Sequence, residues 1–251
     1  MLVAQVSFPV PAGDRRSTAD TASDLLTSWY KNGQIVDACW LLADRGHYLE
    51  AVVRIAEPVS LEPSHHNVYS QAVLDKLLPV VPRVALLGPE PNSSRTCICP
   101  ASSALVLFTH YLSPEPPVRC LDCFGPVPLY RLPHVHDQEH SVLLQWAADY
   151  RACDTLQMHC TTGERFGERQ LGEHDSSLAR NGRALCAELE FASGTAVYYY
   201  LHKMRSRGRA SELERRCPAC DAPWLLERPL HGFDFRCEPC RLVSSIASDA
   251  S

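Results

Sequence analysis

The sequence predicts an α+β fold, and three observations lead to that class. Strand-like and helix-like patterns alternate through residues 1–90, and apolar residues recur at helical spacing in the middle of the chain. Eight of the 12 cysteines stand in two clusters with the spacing of metal ligands. With 251 residues the chain can bury one large core or two modest ones, so a modular architecture is expected.

The N-terminal segment, residues 1–92, is predicted to form a small α/β unit. Leu2–Val10 alternates apolar and polar residues as a strand does, and Ser17–Asp20 offers N-caps for a helix that ends near Asn32 and Gly33. The other predicted elements are strands at Gln34–Ala43 and His47–Glu57, a helix at Asn67–Leu78 and a strand at Arg83–Leu87. The resulting order, β-α-β-β-α-β, is that of the ferredoxin-like split βαβ motif.

The next segment, residues 93–133, is predicted to form a first zinc-ribbon-like module. Cys97 and Cys99 are followed, after a strand-like run and a Pro-rich turn, by Cys120 and Cys123. The first half has one intervening residue where the usual knuckle has two. The alternative is therefore that Cys120 and Cys123 form one good pair beside ordinary thiols, with substitute ligands available at His110 and His134.

Residues 134–201 are predicted to be a helical section that ends in a strand. Asp137–His159 and Ser176–Ala192 each carry apolar residues at three- and four-residue spacing, and Thr195–Leu201 has the composition of a strand. Between the helices, Thr161 and Glu164 have the spacing of a capping box in a polar stretch that runs to residue 169. That stretch is interpreted as a solvated helix start, with a charged contact or a catalytic loop as the alternative.

Residues 202–251 are predicted to form a C-terminal zinc ribbon. Two Cys-x-x-Cys pairs are separated by 16 residues, which is the layout of a four-thiolate zinc site on a short hairpin. A proline inside each pair presets the turn. We therefore expect two structural Zn²⁺ ions in the protein, held by Cys97, Cys99, Cys120 and Cys123 and by Cys217, Cys220, Cys237 and Cys240.

The sequence predicts no enzymatic activity and no small-molecule substrate. Four thiolates close the coordination shell of zinc, whereas a catalytic site keeps an open position. The chain has no Gly-rich phosphate loop, no serine elbow and no His-Glu-x-x-His helix. His134, His136 and His140 can form at most a weak metal site without a placed carboxylate base. The remaining cysteines are expected to be core thiols: Cys39, Cys153, Cys160 and Cys186. Cys153 and Cys160, which are seven residues apart, are expected to share a helix face.

Several segments together resemble a known family. They are Thr195–Leu201, the two C-terminal cysteine pairs with Trp224, the run Phe233–Ser244, the run Cys120–Pro133, and Asn32-Gly-Gln34. The resemblance is to a bacterial family of unassigned function, described as zinc-ribbon-containing proteins for which nucleic-acid binding is suggested. It covers most of the chain and implies zinc at the cysteine motifs, but it adds little about activity.

Charge bears on which partner is bound. The formal net charge is −5, and each four-thiolate zinc site adds −2, so two filled sites give about −9, which opposes a polyanion. Basic residues are nevertheless concentrated near the C-terminal ribbon, beside aromatic residues that can stack on single-stranded bases or simply cover the ribbon core. The candidate binding residues are Lys203, Arg205, Arg207, Arg209, Trp224, Phe233, Phe235, Arg236 and Arg241.

Two functional hypotheses follow. The first is a non-catalytic protein that contacts nucleic acid through its C-terminal ribbon and basic stripe. The second is a protein-binding role in which an acidic surface docks a basic partner, as an immunity protein does with a cognate bacterial toxin. No run of 18 apolar residues predicts a membrane span, and the N-terminus lacks the basic region of a signal peptide. The expected location is the cytoplasm, where reduced thiols bind metal.

Overall fold

The computed structural model describes residues 1–11, 13–135 and 138–250, and the chain divides into two units. The N-terminal unit consists of Met1–Thr96, Pro114–Pro116 and Pro126–Ser141. The C-terminal unit consists of Cys97–Ser113, Pro117–Gly125 and the chain from Val142 onward. The four-part division drawn from the sequence stays a prediction. Among the described residues, no helix is both long enough and apolar enough to cross a bilayer.

The N-terminal unit is built on a four-stranded antiparallel sheet in the strand order β2-β3-β1-β4. Two helices connect the strands, so that the chain follows the predicted sequence β-α-β-β-α-β. The elements are β1 (Leu2–Pro9), α1 (Arg15–Lys31), β2 (Leu42–Asp44), β3 (Tyr48–Ile55), α2 (Val68–Leu77) and β4 (Arg83–Pro89).

Alternation along β1 builds the core of this unit. Ala4, Val6 and Phe8 are fully buried, while the residues between them are partly exposed, because successive side chains of a strand point to opposite faces. Leu25 and Trp29 of α1 are buried in the same apolar cluster. At the start of α2, the Asn67 side chain accepts a hydrogen bond from the Ser70 amide, which is an N-cap at the residue where the predicted helix began.

The strand predicted at Gln34–Ala43 is wrong for most of its length, since only the short β2 forms at its end. Hydrogen bonds of buried polar side chains hold the chain there instead. The Asn32 amide donates to Gln34 Oε1 at 2.9 Å, and the Gln34 amide donates to the Ser60 carbonyl at 2.8 Å. Such side-chain bonds compete with the backbone pairing of a strand. Gly33 permits this turn, because it has φ +76° and a Cβ there would lie 2.4 Å from Leu129 Cβ.

The C-terminal unit is built on one six-stranded mixed sheet in the order β6-β5-β7-β10-β9-β8. The central strand β7 is parallel to both of its neighbours, and the outer pairs are antiparallel. Both cysteine hairpins therefore belong to a single sheet. Its strands are β5 (Ala104–Leu107), β6 (Val118–Cys120), β7 (Ala196–Tyr200), β8 (Leu225–Leu230), β9 (Phe233–Cys237) and β10 (Leu242–Ser244).

The predicted helical middle section is present and contains three of the remaining helices. These are α3 (Ser141–His159), α4 (Glu164–Gly172) and α5 (Ser177–Ser193), followed after β7 by the short α6 (Arg209–Leu213). The first helix was predicted from Asp137, which lies outside the described residues. The Ser176 hydroxyl caps α5 by accepting from the Ala179 amide at 3.0 Å.

Two local expectations for this section are wrong. The capping box fails because the N-cap of α4 is Gly163, at φ +76°, which leaves Thr161 two residues before the N-cap. Cys153 and Cys160 do not share a helix face, since α3 ends at His159 and Cys160 has φ +53°. Cys160 and Cys39 are also exposed rather than buried.

We predict that Gly182→Ala destabilises the protein, although alanine favours a helix over glycine by about 1 kcal/mol. A Cβ at this position of α5 would lie 2.2 Å from the Tyr199 ring and 2.6 Å from Trp146 Nε1, and both side chains are buried. Overpacking of this kind costs about 1–3 kcal/mol. The midpoint of urea unfolding should therefore fall. The neighbouring exposed substitution Asn181→Ala should leave it equal or higher, and a stabilised Gly182→Ala protein would contradict the packing described here.

Candidate metal centres and basic groove

The second cysteine cluster has the geometry of a four-coordinate metal site. The Sγ atoms of Cys217, Cys220, Cys237 and Cys240 all lie within 4.8 Å of one another. Cys220 Sγ and Cys237 Sγ are 3.6 Å apart. Two sulfurs on one tetrahedral zinc, each at about 2.3 Å from the ion, are separated by about 3.8 Å, whereas a disulfide needs about 2.05 Å. The cluster therefore fits a metal ion and not a pair of disulfides.

The first cluster is brought together in the same way. The Sγ atoms of Cys97, Cys99, Cys120 and Cys123 also lie within 4.8 Å of one another. Cys97 and Cys99, which have only one residue between them, thus both contribute a thiol to the cluster. Neither histidine proposed as a substitute belongs to the cluster: His110 lies near the Phe108 ring, and His134 Nε2 is 3.1 Å from Asn32 Oδ1.

The three Cys-x-x-Cys pairs share one backbone turn. The residue after the second cysteine is left-handed in each, with φ +59° at Phe124, +55° at Asp221 and +51° at Arg241. In two of them the first cysteine also donates its amide five residues ahead, from Cys120 to Gly125 O at 3.1 Å and from Cys217 to Ala222 O at 3.0 Å. Left-handed backbone at a non-glycine residue costs free energy, so its recurrence indicates that this turn is what the sulfurs require.

Hydrogen bonds to sulfur and burial act in opposite directions on the thiols of the first cluster. Burial raises the pKa of Cys97 to about 12. Burial also acts to raise the pKa of Cys120, but hydrogen bonds from Ser102 and from the Cys123 and Asp122 amides outweigh it and leave that pKa below its ordinary value. The Asp122 amide donates to Cys120 Sγ at 3.3 Å. The turn is thus arranged to stabilise negative charge on sulfur.

The second cluster shows the same mixture. Burial raises the pKa of Cys237 to about 11 and raises that of Cys240, while a hydrogen bond from the Ala222 amide lowers that of Cys220. Four sulfurs this close cannot all ionise without a cation, and a soft divalent ion such as zinc supplies that charge. Both groups could therefore bind metal ions such as Zn²⁺, and four thiolates would fill the shell and leave the metal a structural role.

The tip of the second hairpin docks on the first knuckle. His231 Nε2 lies 2.7 Å from the Leu121 carbonyl, between Cys120 and Cys123, so that nitrogen carries the proton and donates. The His231 ring also stacks on Phe124, with centroids 5.3 Å apart and planes 13° apart. Phe233 meets Phe124 edge-on at 5.6 Å. The second cysteine hairpin thus contacts the first knuckle directly, in addition to belonging to the same sheet.

The histidine-rich stretch is only partly covered by the structure. His136 lies outside the described residues. The His134 and His140 rings are 4.6 Å apart, and His140 is 1% exposed. Burial, with the neighbouring His134, lowers the pKa of His140 to about 3, so this ring is neutral at physiological pH.

The three aromatic residues proposed to stack on bases are buried. Trp224 and Phe233 are 2% exposed and Phe235 is 0% exposed. Trp224 packs at 5.1 Å on Phe235, and the Arg215 guanidinium lies 4.2 Å above the Phe235 ring. Trp224 and Phe235 form the ribbon core, and Phe233 packs on Phe124 and Tyr200. The aromatic residues therefore fill the interior, which is the alternative that the sequence left open. None of the three can stack on a ligand in this conformation.

The two arginines beside the second knuckle are paired within the protein. Arg236 Nε lies 2.6 Å from Glu238, and its guanidinium lies over the Tyr198 ring. Arg241 bonds Glu190 with Nε and Nη2 at 3.0 Å, and Glu238 is 3.6 Å away. The bond to Arg241 holds the pKa of Glu190 below its ordinary value, so the pair is charged. These two cations are largely neutralised.

The remaining candidate cations form the basic stripe, which consists of Lys203, Arg205, Arg207 and Arg209. The first two lie near α4. Lys203 and Arg205 line a groove of about 370 Å³ together with Arg165 and Arg169 of that helix. Glu168 and Glu173 also line it, which leaves a local excess of two positive charges. Arg205 bonds Glu164 at 2.6 Å and Glu168 at 3.4 Å. Arg165 and Lys203 carry no salt bridge within the part of the chain that the structure describes.

The last two residues of the stripe continue from the groove. Arg207 and Arg209 are exposed, and Arg209 donates to the Ala250 carbonyl at 3.4 Å. The sequence stripe missed Arg165 and Arg169, although the charged stretch that holds them was noted. Their four-residue spacing was the available signal, since such residues lie on one side of a helix.

The fold and sites define a class of protein: an α+β protein with an antiparallel N-terminal sheet and a mixed sheet that carries two four-cysteine candidate metal sites. Residues 99–202 match the model of a domain of unknown function, DUF2310, and residues 206–250 match a second one, DUF8594. No solved structure matches the chain.

Two Haemophilus influenzae proteins, each described as an uncharacterized protein, are similar to this chain. One is 30% identical over 233 residues, which cover 89% of this chain and 88% of the relative. The other is 34% identical over 165 residues, which cover 64% of this chain and 80% of the relative. The chain belongs to the protein family of these Haemophilus relatives.

We predict that removing metal loosens the C-terminal unit selectively. Zinc in small Cys₄ sites contributes about 10–16 kcal/mol of apparent binding free energy, and both candidate sites lie in that unit. A strong chelator should speed hydrogen exchange in peptides from β5 to β10 and leave β1 and β3 protected. Cys237→Ser should lower the bound zinc from two equivalents to one. Equal exchange with and without chelator would show that the thiols hold no structural ion.

We also predict that the two sites load cooperatively through His231. His231→Ala removes no sulfur but breaks the bond to the Leu121 carbonyl and the stacking on Phe124. The affinity for the second equivalent of zinc should fall severalfold, as measured by competition with a chromogenic chelator in protein that keeps all eight cysteines. The exposed His159→Ala is the control and should leave that affinity unchanged. An unaltered zinc affinity in His231→Ala would show that the two sites bind zinc independently of this contact.

Proposed function

We propose that this protein is a non-catalytic, cytoplasmic binding protein that contacts nucleic acid through the groove beside α4. Two Zn²⁺ ions, one in each cysteine cluster, stabilise two zinc-ribbon hairpins, and the N-terminal unit is a ferredoxin-like scaffold. The observation that carries the proposal is the convergence of Arg165 and Arg169 with Lys203 and Arg205 on one groove. Phosphate contacts from lysine and arginine dominate the affinity of proteins for nucleic acid.

The geometry also limits which residues can take part. Buried aromatic residues and the paired Arg236 and Arg241 are poor ligands for a phosphate chain, so contact by the hairpin itself is secondary. The net charge of −5 opposes a polyanion over the whole surface, but a local excess of positive charge acts within about one Debye length, roughly 8–10 Å. Binding is therefore expected to be moderate in affinity and steeply dependent on salt.

A protein-binding role is the second candidate, and one observation favours it. Phe191 is 93% exposed and lines a cavity of about 650 Å³ beside the second knuckle. Glu190, Glu238 and Arg241, which pairs with both, contribute polar groups to the wall of that cavity. An exposed aromatic residue next to a cavity with polar walls is a common anchor for a protein partner, including the basic toxin partner of an immunity protein.

The test is a fluorescence-anisotropy titration of labelled oligonucleotides into zinc-loaded protein at several salt concentrations. We predict that the double substitution Arg165→Ala with Lys203→Ala weakens binding and reduces the slope of log affinity against log salt by about 1–2, because two phosphate contacts are lost. The double substitution Lys76→Ala with Arg83→Ala removes the same net charge from exposed positions of the N-terminal unit and should leave the slope unchanged.

Failure of the wild-type protein to bind with any salt dependence would rule out nucleic-acid binding. Co-purification of a stoichiometric basic protein, lost in Phe191→Ala and retained in the groove variants, would then support the second candidate.

A further inference from the structure

Phe166 is an exposed aromatic residue on α4, the helix that contributes Arg165 and Arg169 to the basic groove. Its side chain is 54% exposed, although it lies in the middle of α4. The next residue, Gly167, faces the protein interior, because a Cβ there would lie 2.3 Å from the Cys153 carbonyl oxygen. Leu171 is fully buried on the same side. The buried side of α4 is thus filled by other residues, and Phe166 is not part of the core.

Helix geometry places Phe166 beside the cations. Residues three apart on a helix are surface neighbours with Cβ atoms about 5–6 Å apart, so Phe166 adjoins Arg169, which lines the groove. Arg165 and Arg169 are one turn apart on the groove side. A ligand that lies along the groove therefore meets a row of cations with one aromatic face at its rim.

This combination suits a single strand better than a duplex. A single strand has a flexible backbone and unstacked bases, so a phosphate can reach the cations while the adjacent base stacks on an aromatic ring. In a duplex the bases are stacked on each other inside the helix, and an exposed ring on a protein surface reaches only the backbone. Trp224, Phe233 and Phe235 are buried and cannot stack on a base. Phe166 of α4 is exposed and can do so.

We infer that the groove beside α4 binds single-stranded nucleic acid, with phosphates on Arg165, Arg169 and Lys203 and a base stacked on Phe166. This inference rests on the proposed function and specifies its ligand. Glu173, whose carboxylate lies 3.7 Å from Arg169 Nε, competes with phosphate for that arginine, but both side chains are exposed, so the exchange costs little. The Met204 side chain, which also lines the groove, adds an apolar contact for the base or sugar.

The experiment compares Phe166→Ala with wild type on oligo(U), oligo(dT) and a mixed-sequence DNA duplex, by the same anisotropy titration. Phe166→Ala should weaken binding of both single strands about 10-fold, which is the value of one stacked base, and leave duplex binding unchanged. Phe166→Trp should restore or exceed wild-type affinity for single strands. Tyr69→Ala, an exposed aromatic substitution on α2 of the N-terminal unit, should change nothing.

The outcomes separate this inference from the function on which it rests. Salt-dependent binding that is as tight for the duplex as for single strands, and that is the same in Phe166→Ala, would overturn the stacking role and leave nucleic-acid binding intact. Absence of salt-dependent binding to any of the three probes would overturn both. Since Phe166 is exposed, unchanged circular dichroism and zinc content should confirm that its variants fold.

Discussion

The architecture of the C-terminal unit depends on the parallel pairing of β7 with strands on both sides. Val197 pairs with Leu105 of β5, and Tyr199 pairs with Leu107 on one side and with Leu242 of β10 on the other. Parallel neighbours cannot be joined by a tight turn and need a long crossover. The helical section α3 to α5 is that crossover between β5 and β7. It is therefore part of the sheet's connectivity rather than a spacer between two ribbons.

This pairing brings two chemically similar sites onto one scaffold. Cys120 is the last residue of β6 and Cys237 is the last residue of β9, so each hairpin ends in a ligand. Burial disfavours the thiolate at Cys97 and at Cys237, and only a cation at the centre of each cluster compensates four sulfurs together. A metal bound there would link its own binding to the folding of the hairpins, and protons would compete with it for the same sulfurs.

Local chemistry allowed much of this fold to be predicted. The helix starts at Asn67 and Ser176 and the turns of the cysteine pairs each depend on a few neighbouring residues, and each was predicted correctly. The N-terminal element order was predictable for the same reason. The N-cap expected within Ser17–Asp20 is wrong, because α1 begins at Arg15 with Asp14 as its N-cap. What else failed in the N-terminal unit depended on distant partners. The segment after α1 is held by Asn32, which contacts His134 across 102 residues of sequence, and no local pattern reveals that bond.

The candidate site was less predictable, because the availability of a side chain to a ligand depends on its burial and on its ion pairs in the folded protein. The spacing of cysteines selected all eight thiols that the structure brings together. The aromatic residues were correctly identified as apolar strand material, but their burial follows from distant contacts. Trp224 and Phe235 pack on each other and on Arg215. Phe233 packs on Phe124 and Tyr200. Arg241 looked free in sequence, yet its partner Glu190 lies 51 residues earlier on α5. Arg165 and Arg169 could not be assigned to the site from sequence, because they line the groove only where the fold places α4 beside Lys203 and Arg205.

Whether an arginine or lysine of this acidic protein is available to a polyanion depends on whether a carboxylate of the protein already pairs with it. An arginine already held by two hydrogen bonds to a carboxylate must lose them before it binds a phosphate, so Arg241 gains little from such an exchange. Arg205 is intermediate, since its carboxylate partners Glu164 and Glu168 are themselves partly exposed. Arg165 and Lys203 have no such competitor among the described residues. A phosphate chain is therefore expected to engage these two first, and Arg205 then needs only to exchange one oxyanion for another to extend the contact.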